Sequence, residues 1–195
     1  QMADEIESGK SVMEVIKEFM ADHKRIIFDG DGYSAKWEEE AARRGLLNNK
    51  STPEALRCLK DEKNIKMLSE MGVYTPVEIE SRYDILLEGY IKILTVEAST
   101  AIKMAKTQIY PAVCKYLADI SKELKVTKDI GLECEFLEDD VKKLAGLLQR
   151  MKDKITALEV ATAKCQAMQE NNDLYDVAIA IRDEVVAGMQ TLRET

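Results

Sequence analysis

Apolar residues recur at helical spacing along most of the chain, and the places where that phase breaks divide it into elements. Val12, Val15, Ile16 and Phe19 fall on one face of a first helix. Ser11 stands before it as an N-cap and Glu14 at the reciprocal capping-box position. The run Arg25-Ile26-Ile27-Phe28 is apolar with strand propensity, and Asp29-Gly30-Asp31-Gly32 reads as a turn. Ser34 caps a short helix that ends near Arg44, with Gly45 at a C′ position. Ser51-Thr52-Pro53-Glu54 opens another short helix, with a hydroxyl cap and a proline in the first turn. A further one covers Asn64 to Glu70 and stops at Gly72. Thr75-Pro76-Val77-Glu78 repeats the start signature, with Thr75 as cap and Glu78 at N3.

From Pro76 the elements lengthen. Ile79, Tyr83, Leu86, Tyr90 and Ile93 form one stripe, continued by Ile102, Ala105, Ile109, Val113, Tyr116 and Ile120. Pro111 lies inside this stripe. It lacks an amide hydrogen and its ring clashes one turn back, so a kink or break is expected there. A break is also expected between Lys125 and Gly131. The clearest pattern follows: Leu137, Val141, Leu144, Leu148, Met151, Ile155, Leu158, Thr162 and Cys165 alternate spacings of four and three, an a/d heptad seam. Asn171-Asn172-Asp173 breaks it and caps a last helix striped by Leu174, Val177, Ile181, Val185, Met189 and Leu192.

The expected fold is therefore all-α. Short helices with one irregular, strand-like segment occupy residues 1–75, and a bundle of long antiparallel helices occupies 76–195. The heptad seam could also pair with another chain. Packing within the chain is favoured, because the neighbouring helices need a partner for their own stripes.

Composition sharpens this picture in a few places. Only 9 Gly and 3 Pro occur, too little turn chemistry for a many-stranded sheet. The formal net charge of −8 and the absence of a basic cluster argue against a nucleic-acid partner. No apolar run approaches a membrane span, and nothing near Gln1 resembles a signal peptide, so a cytoplasmic fragment of a longer protein is expected. Cys58, Cys114, Cys134 and Cys165 are widely spaced, and with His23 the single histidine they make no usual zinc set; reduced thiols are expected.

Candidate chemistry is thin. Gly30-Asp31-Gly32-Tyr33-Ser34-Ala35 matches a dinucleotide fingerprint literally, but Asp29 and Asp31 would repel a pyrophosphate and no βαβ unit follows. Asp29, Asp31 and Glu40 take positions 1, 3 and 12 of a calcium loop, yet Tyr33 and Ser34 stand where a ligand and the turn glycine belong. A structural turn is the simpler reading. Trp37, the only tryptophan, is expected to anchor its short helix. Glu38-Glu39-Glu40 and Glu138-Asp139-Asp140 read as solvated faces, and Glu78 with Arg82 as an i,i+4 pair. No nucleophile has a histidine relay. No catalytic, cofactor-binding or metal-ligating residue is assigned.

Taken together, several segments resemble type III glutamine synthetases near their C-terminal end. The resemblance rests on Arg25 to Ser34, then Trp37, Glu40-Ala41, Arg44-Gly45-Leu46, Asn48, Thr52 to Leu56 and Glu62 to Ile65. It continues through Gly72-Val73, Glu78, Ser81-Arg82-Tyr83, Leu87-Glu88, Tyr90, Glu97-Ala98, Ala105 to Ile109, Pro111-Ala112-Val113 and Tyr116. Ala3 to Glu7 fits as the tail of a preceding helix. Beyond about residue 117 the similarity is one of type only.

This resemblance implies a parent enzyme that joins ammonia to glutamate through γ-glutamyl phosphate, using ATP with magnesium or manganese. Its metal, nucleotide and glutamate sites would lie upstream. The expected partners are the catalytic region of the same chain and other subunits of a ring-based homo-oligomer. Residues 1–75 would be the end of the catalytic region and residues 76–195 the long-helix bundle of the C-terminal domain, and the segment itself would be structural and inactive. The contrasting expectation is a self-standing helical module that uses its heptad seam to bind a partner helix.

Overall fold

A computed structural model describes residues 1–195, the side chain of Arg25 excepted. The chain divides into two compact units, Gln1–Lys50 and Ser51–Thr195, and each is described by itself.

The first unit holds α1 (Met2–Glu7), α2 (Val12–Asp22) and α3 (Ala35–Arg43). Ser11 and Glu14 form the capping box that opens α2. The Arg25–Phe28 segment is irregular rather than a strand. A 3-10 turn covers Lys24–Ile26, and no strand occurs among the described residues. A strand needs a neighbour for its backbone groups, and here the Ile27 carbonyl is taken by the Arg44 guanidinium. Ser34 stands at the N-cap of α3, but its hydroxyl donates backwards to the Asp31 carbonyl at 2.7 Å instead of capping the helix. The unit buries little: Val15 and Ala41 are its closed positions among the described residues, and Val12, Met13 and Met20 stay exposed.

The second unit begins with α4 (Thr52–Arg57) and α5 (Glu62–Glu70), both packed on α6 (Pro76–Met104). The Thr75–Glu78 capping box opens α6 as its sequence predicts. Neither a break nor a sharp end occurs at Pro111. A π turn over Ala105–Ile109 leads directly into α7 (Tyr110–Asp129). The wider turn accommodates a residue that can neither donate nor tolerate the carbonyl one turn back. Thr107 adds a hydroxyl bond to the Lys103 carbonyl at 2.7 Å. The helix from Pro76 to Asp129 is thus continuous and about 80 Å long at 1.5 Å per residue.

Gly131, at φ +83°, reverses the chain into α8 (Glu135–Met168), which runs back along α7 and α6. Lys128 with Glu138 (2.6 Å) and Lys106 with Glu159 (2.8 Å) mark the antiparallel register. Asp173 then caps α9 (Leu174–Ala180), which passes through a second π turn, Ile181–Val186, into α10 (Ala187–Arg193). This last rod packs on α6 and α8.

Every residue of the α8 seam is buried or half-buried, and burial is graded along it. Leu137, Val141 and Leu144 meet the α7 hairpin partner and are half-buried. Ile155, Leu158, Thr162 and Cys165 lie where α6 and the last rod also pack, and are closed to solvent. The α6 and α7 stripes differ in part from the sequence reading. Ile79, Tyr83, Leu87, Ile91 and Ala98 are buried, whereas Leu86, Ile93, Ile109 and Tyr116 are exposed. Gly89 sits mid-helix on the outer side of α6, and a Cβ there would meet nothing within 4 Å. Gly89→Ala is expected to stabilise the isolated chain by about 0.5–1 kcal/mol, read as a higher denaturation midpoint. An unchanged or lowered midpoint would mean the site is not open in the isolated chain.

Candidate functional site

The loop before α3 is built on local bonds. The Tyr33 amide donates to the Asp31 carboxylate at 2.9 Å, and the Ser34 amide to the Asp31 carbonyl at 3.2 Å. Asp31 therefore spends its side chain closing an Asx turn. A Cβ on Gly30 would lie 2.8 Å from the tip of the Phe28 ring, so any larger residue there requires the ring to move. Phe28 in turn stacks on Trp37 with centroids 4.5 Å apart, and the Arg44 guanidinium lies 5.8 Å over Trp37. Trp37, half-buried, thus pins the loop to the start of α3 through Phe28 rather than anchoring the helix in a closed core. Tyr33 projects fully into solvent.

Glu40, the twelfth position of the supposed calcium loop, is engaged elsewhere. Arg43 holds it at 2.6 Å and Arg44 at 2.5 Å. The Arg43 bonds, then those of Arg44, pull its carboxyl down to about 2, so it remains ionised far into acid. Calcium or NAD titrated into the protein is expected to give no saturable heat from this loop. Saturable binding lost in Asp31→Ala would contradict that.

The other sequence candidates resolve into structural roles. Glu78 turns back to accept from the Thr75 amide and hydroxyl at 2.7 and 2.8 Å. These bonds lower its pKa. Arg82 lies over the Tyr74 ring at 4.4 Å, so the expected Glu78–Arg82 ion pair is replaced by a cap and a cation–π contact. Glu80 pairs with Lys60, whose ammonium also sits 4.8 Å over Tyr83. Glu38 pairs with Lys50, and Glu138 with Lys128. His23 packs edge-on against Phe19. The cysteines remain separate thiols; Cys165 is buried, which pushes its pKa up.

One polar junction has no signal in the local sequence. Arg182, in the second π turn, reaches Glu54 of α4 at 2.7 Å and also bonds Asp183, which raises its pKa. Ser51 donates to the same Glu54 at 2.8 Å. The start of the second unit is thereby tied to its last helix.

These groups hold elements together; none forms a nucleophile with a base. Among the described residues, no three His, Cys, Asp or Glu side chains are arranged to hold a metal.

Residues 11–128 match the family described as glutamine synthetase C-terminal domain. The chain belongs to that family. It is 32% identical over 183 residues to the Type-3 glutamine synthetase of Dictyostelium discoideum, covering 92% of this chain and 25% of that protein. It is 34% identical over 190 residues to the glutamine synthetase of Butyrivibrio fibrisolvens, covering 96% and 27%. Against the glutamine synthetase of Bacteroides fragilis the identity is 26% over 199 residues, covering 99% and 27%. The chain thus spans about a quarter of the length of the curated relatives it matches.

The family match spans α2 to nearly the end of α7, whereas the relatives align over 92–99% of the chain and so extend past it. Among the described residues, no helix of this family member is long and apolar enough to cross a membrane.

Proposed function

We propose that this chain is the C-terminal structural part of a cytoplasmic glutamine synthetase, completing the fold of each subunit and contributing to a ring-based homo-oligomer. The parent reaction is ATP-dependent ligation of ammonia to glutamate through γ-glutamyl phosphate. One observation carries the reading: nearly the whole chain aligns with about a quarter of proteins that bear that name.

The ATP and magnesium or manganese of the parent reaction do not fit this segment. Phosphoryl transfer needs carboxylates free to hold metal ions around the phosphates. Here Glu40 is held between two arginines, Glu78 is closed into its cap and Glu80 is paired with Lys60, and among the described residues no three His, Cys, Asp or Glu side chains are arranged to hold a metal. No step of the reaction is therefore routed through these residues, and the chemistry belongs upstream. The contrasting reading, a module that binds a partner helix by its heptad seam, loses its main support because that seam is occupied within the chain.

The test compares the full-length parent with a version lacking this segment, by glutamine formation and native mass. A normal subunit that loses both activity and its assembled mass on deletion fits the proposal. A deletion that stays active at the parent's mass rejects it.

A further inference from the structure

The α6 helix is apolar on two opposite sides. One side carries Ile79, Tyr83, Leu87, Ile91 and Ala98 into the core of the second unit. On the outer half Ile85 (64% exposed) and Val96 (65%) lie opposite the core side, with Val77 (78%) and Ile93 (61%) flanking them, all facing solvent. A surface helix normally turns a polar face outward, and one that is apolar on both sides is normally covered on both.

This outer side also has a shape. Val77, Ser81, Ile85, Gly89 and Ile93 follow one another at i,i+4 along a single ridge. Large and small residues alternate, and Gly89 leaves open space above it. The result is a row of knobs and notches repeating every eight residues, about 12 Å. Rows of this kind interlock with the ridges of a crossing helix. Charged side chains border the ridge: Asp84, Glu88 and Lys92 along one edge, Glu78 and Arg82 along the other. An apolar centre with a charged rim is the anatomy of a buried contact.

We propose that the outer ridge of α6 from Val77 to Val96 is the seat of a helix from the upstream part of the same polypeptide. The inference rests on the chain being the C-terminal part of a longer glutamine synthetase. Area argues for a linked occupant over a second copy. The ridge is about 28 Å long and one helix wide, roughly 300 Å². A stable association of separate chains buries about 800 Å² per partner. A segment of the same polypeptide is held at high effective concentration and needs far less. The relatives carry about three quarters of their length outside the aligned region, ample to supply it.

The test uses the full-length parent with the photo-crosslinking residue benzoylphenylalanine in place of Ile93. A cross-link within a single chain, joining position 93 to a peptide preceding Gln1, is the expected product. A product of doubled chain mass on a denaturing gel would assign the ridge to a second copy and overturn the proposal. A cross-link confined to residues 1–195 would overturn it too.

Thiol labelling of Ile93→Cys is the second measurement. Labelling is expected to be at least roughly tenfold slower than at Lys142→Cys, an exposed α8 position, in the folded parent. Equal rates would mean that nothing covers the ridge. Glutamine formation by the unmodified parent is read alongside. An active parent whose Ile93→Cys labels freely loses the seat and keeps the functional reading, whereas an inactive parent removes the functional reading itself.

Discussion

Leu158→Asp is expected to unfold the second unit at room temperature. Leu158 is fully closed to solvent and lies in one cluster with Tyr83, Leu87, Val177, Ile181 and Val185, so three helical rods meet on it. The approach there is close: a Cβ on Gly188 of α10 would come 3.0 Å from a Leu158 methyl. A carboxylate in that place finds no cation in the cluster and cannot swing into water without moving a whole helix. Truncation to alanine alone costs about 2–5 kcal/mol at a buried leucine. An unpaired buried carboxyl adds several more, which together rival the roughly 5–15 kcal/mol that holds an ordinary domain together. Urea titration followed by circular dichroism reads the outcome. Leu148→Asp makes the internal comparison. Leu148 is 8% exposed and lies further along α8 toward the α7–α8 hairpin, where the new charge can be let out to solvent by a small splay of two helices. It should destabilise by less than Leu158→Asp. If Leu158→Asp melts like the unmodified chain, the three-rod packing is wrong.

That ordering was only half legible in the sequence. The heptad of α8 shows which residues face inward because its period is unbroken over nine positions, and every one is buried or half-buried. It does not show how many helices cover each level, since that depends on where the last rod ends. On α6 the same periodicity misled. The helix carries two apolar sides, so Leu86 and Ile93 join a plausible stripe although the buried set runs through Leu87 and Ile91. One residue of phase separates the two, and a helix apolar on both sides offers no polar face to fix it. Tyr116 failed for a related reason: an amphipathic ring fits a stripe on paper, but the hairpin seam runs through half-buried Val113 and Leu117 and buried Ile120.

Caps are legible in the sequence where they are local. Ser11 with Glu14 and Thr75 with Glu78 need only four residues to close. The rule for proline predicts a kink or break at Pro111 because it assumes an α-helical turn before it; a π turn relaxes that condition. The loop around Asp31 was legible as a structural turn from its residue types, but not the engagement of Glu40 by Arg43 and Arg44. The Arg182–Glu54 junction joins positions 128 apart in sequence, and no local pattern announces it.

The isolated chain is expected to fold in its second unit and to make no glutamine. Folding follows from what that unit already contains. Its long helices have capped starts, they bury one another along continuous stripes, and the closing ion pairs lie within it. The first unit is different. With Val15 and Ala41 as its closed positions among the described residues, 50 residues bury too little surface to hold their shape alone. Limited proteolysis should therefore cut residues 1–50 before the bundle. Catalysis fails for a separate reason. Most of the acceleration in phosphoryl transfer comes from metal ions and cations fixed around the phosphates before reaction. Among the described residues no three His, Cys, Asp or Glu side chains are arranged to hold such an ion, and Glu40, Glu54 and Glu78 are closed into caps and ion pairs at α3, α4 and α6. Purified chain incubated with glutamate, ammonium, ATP and magnesium or manganese should give neither glutamine nor phosphate above background. The decisive contrary result would be turnover that a single substitution within residues 1–195 abolishes while the bundle still melts normally. Turnover insensitive to every such substitution would instead point to a contaminating enzyme.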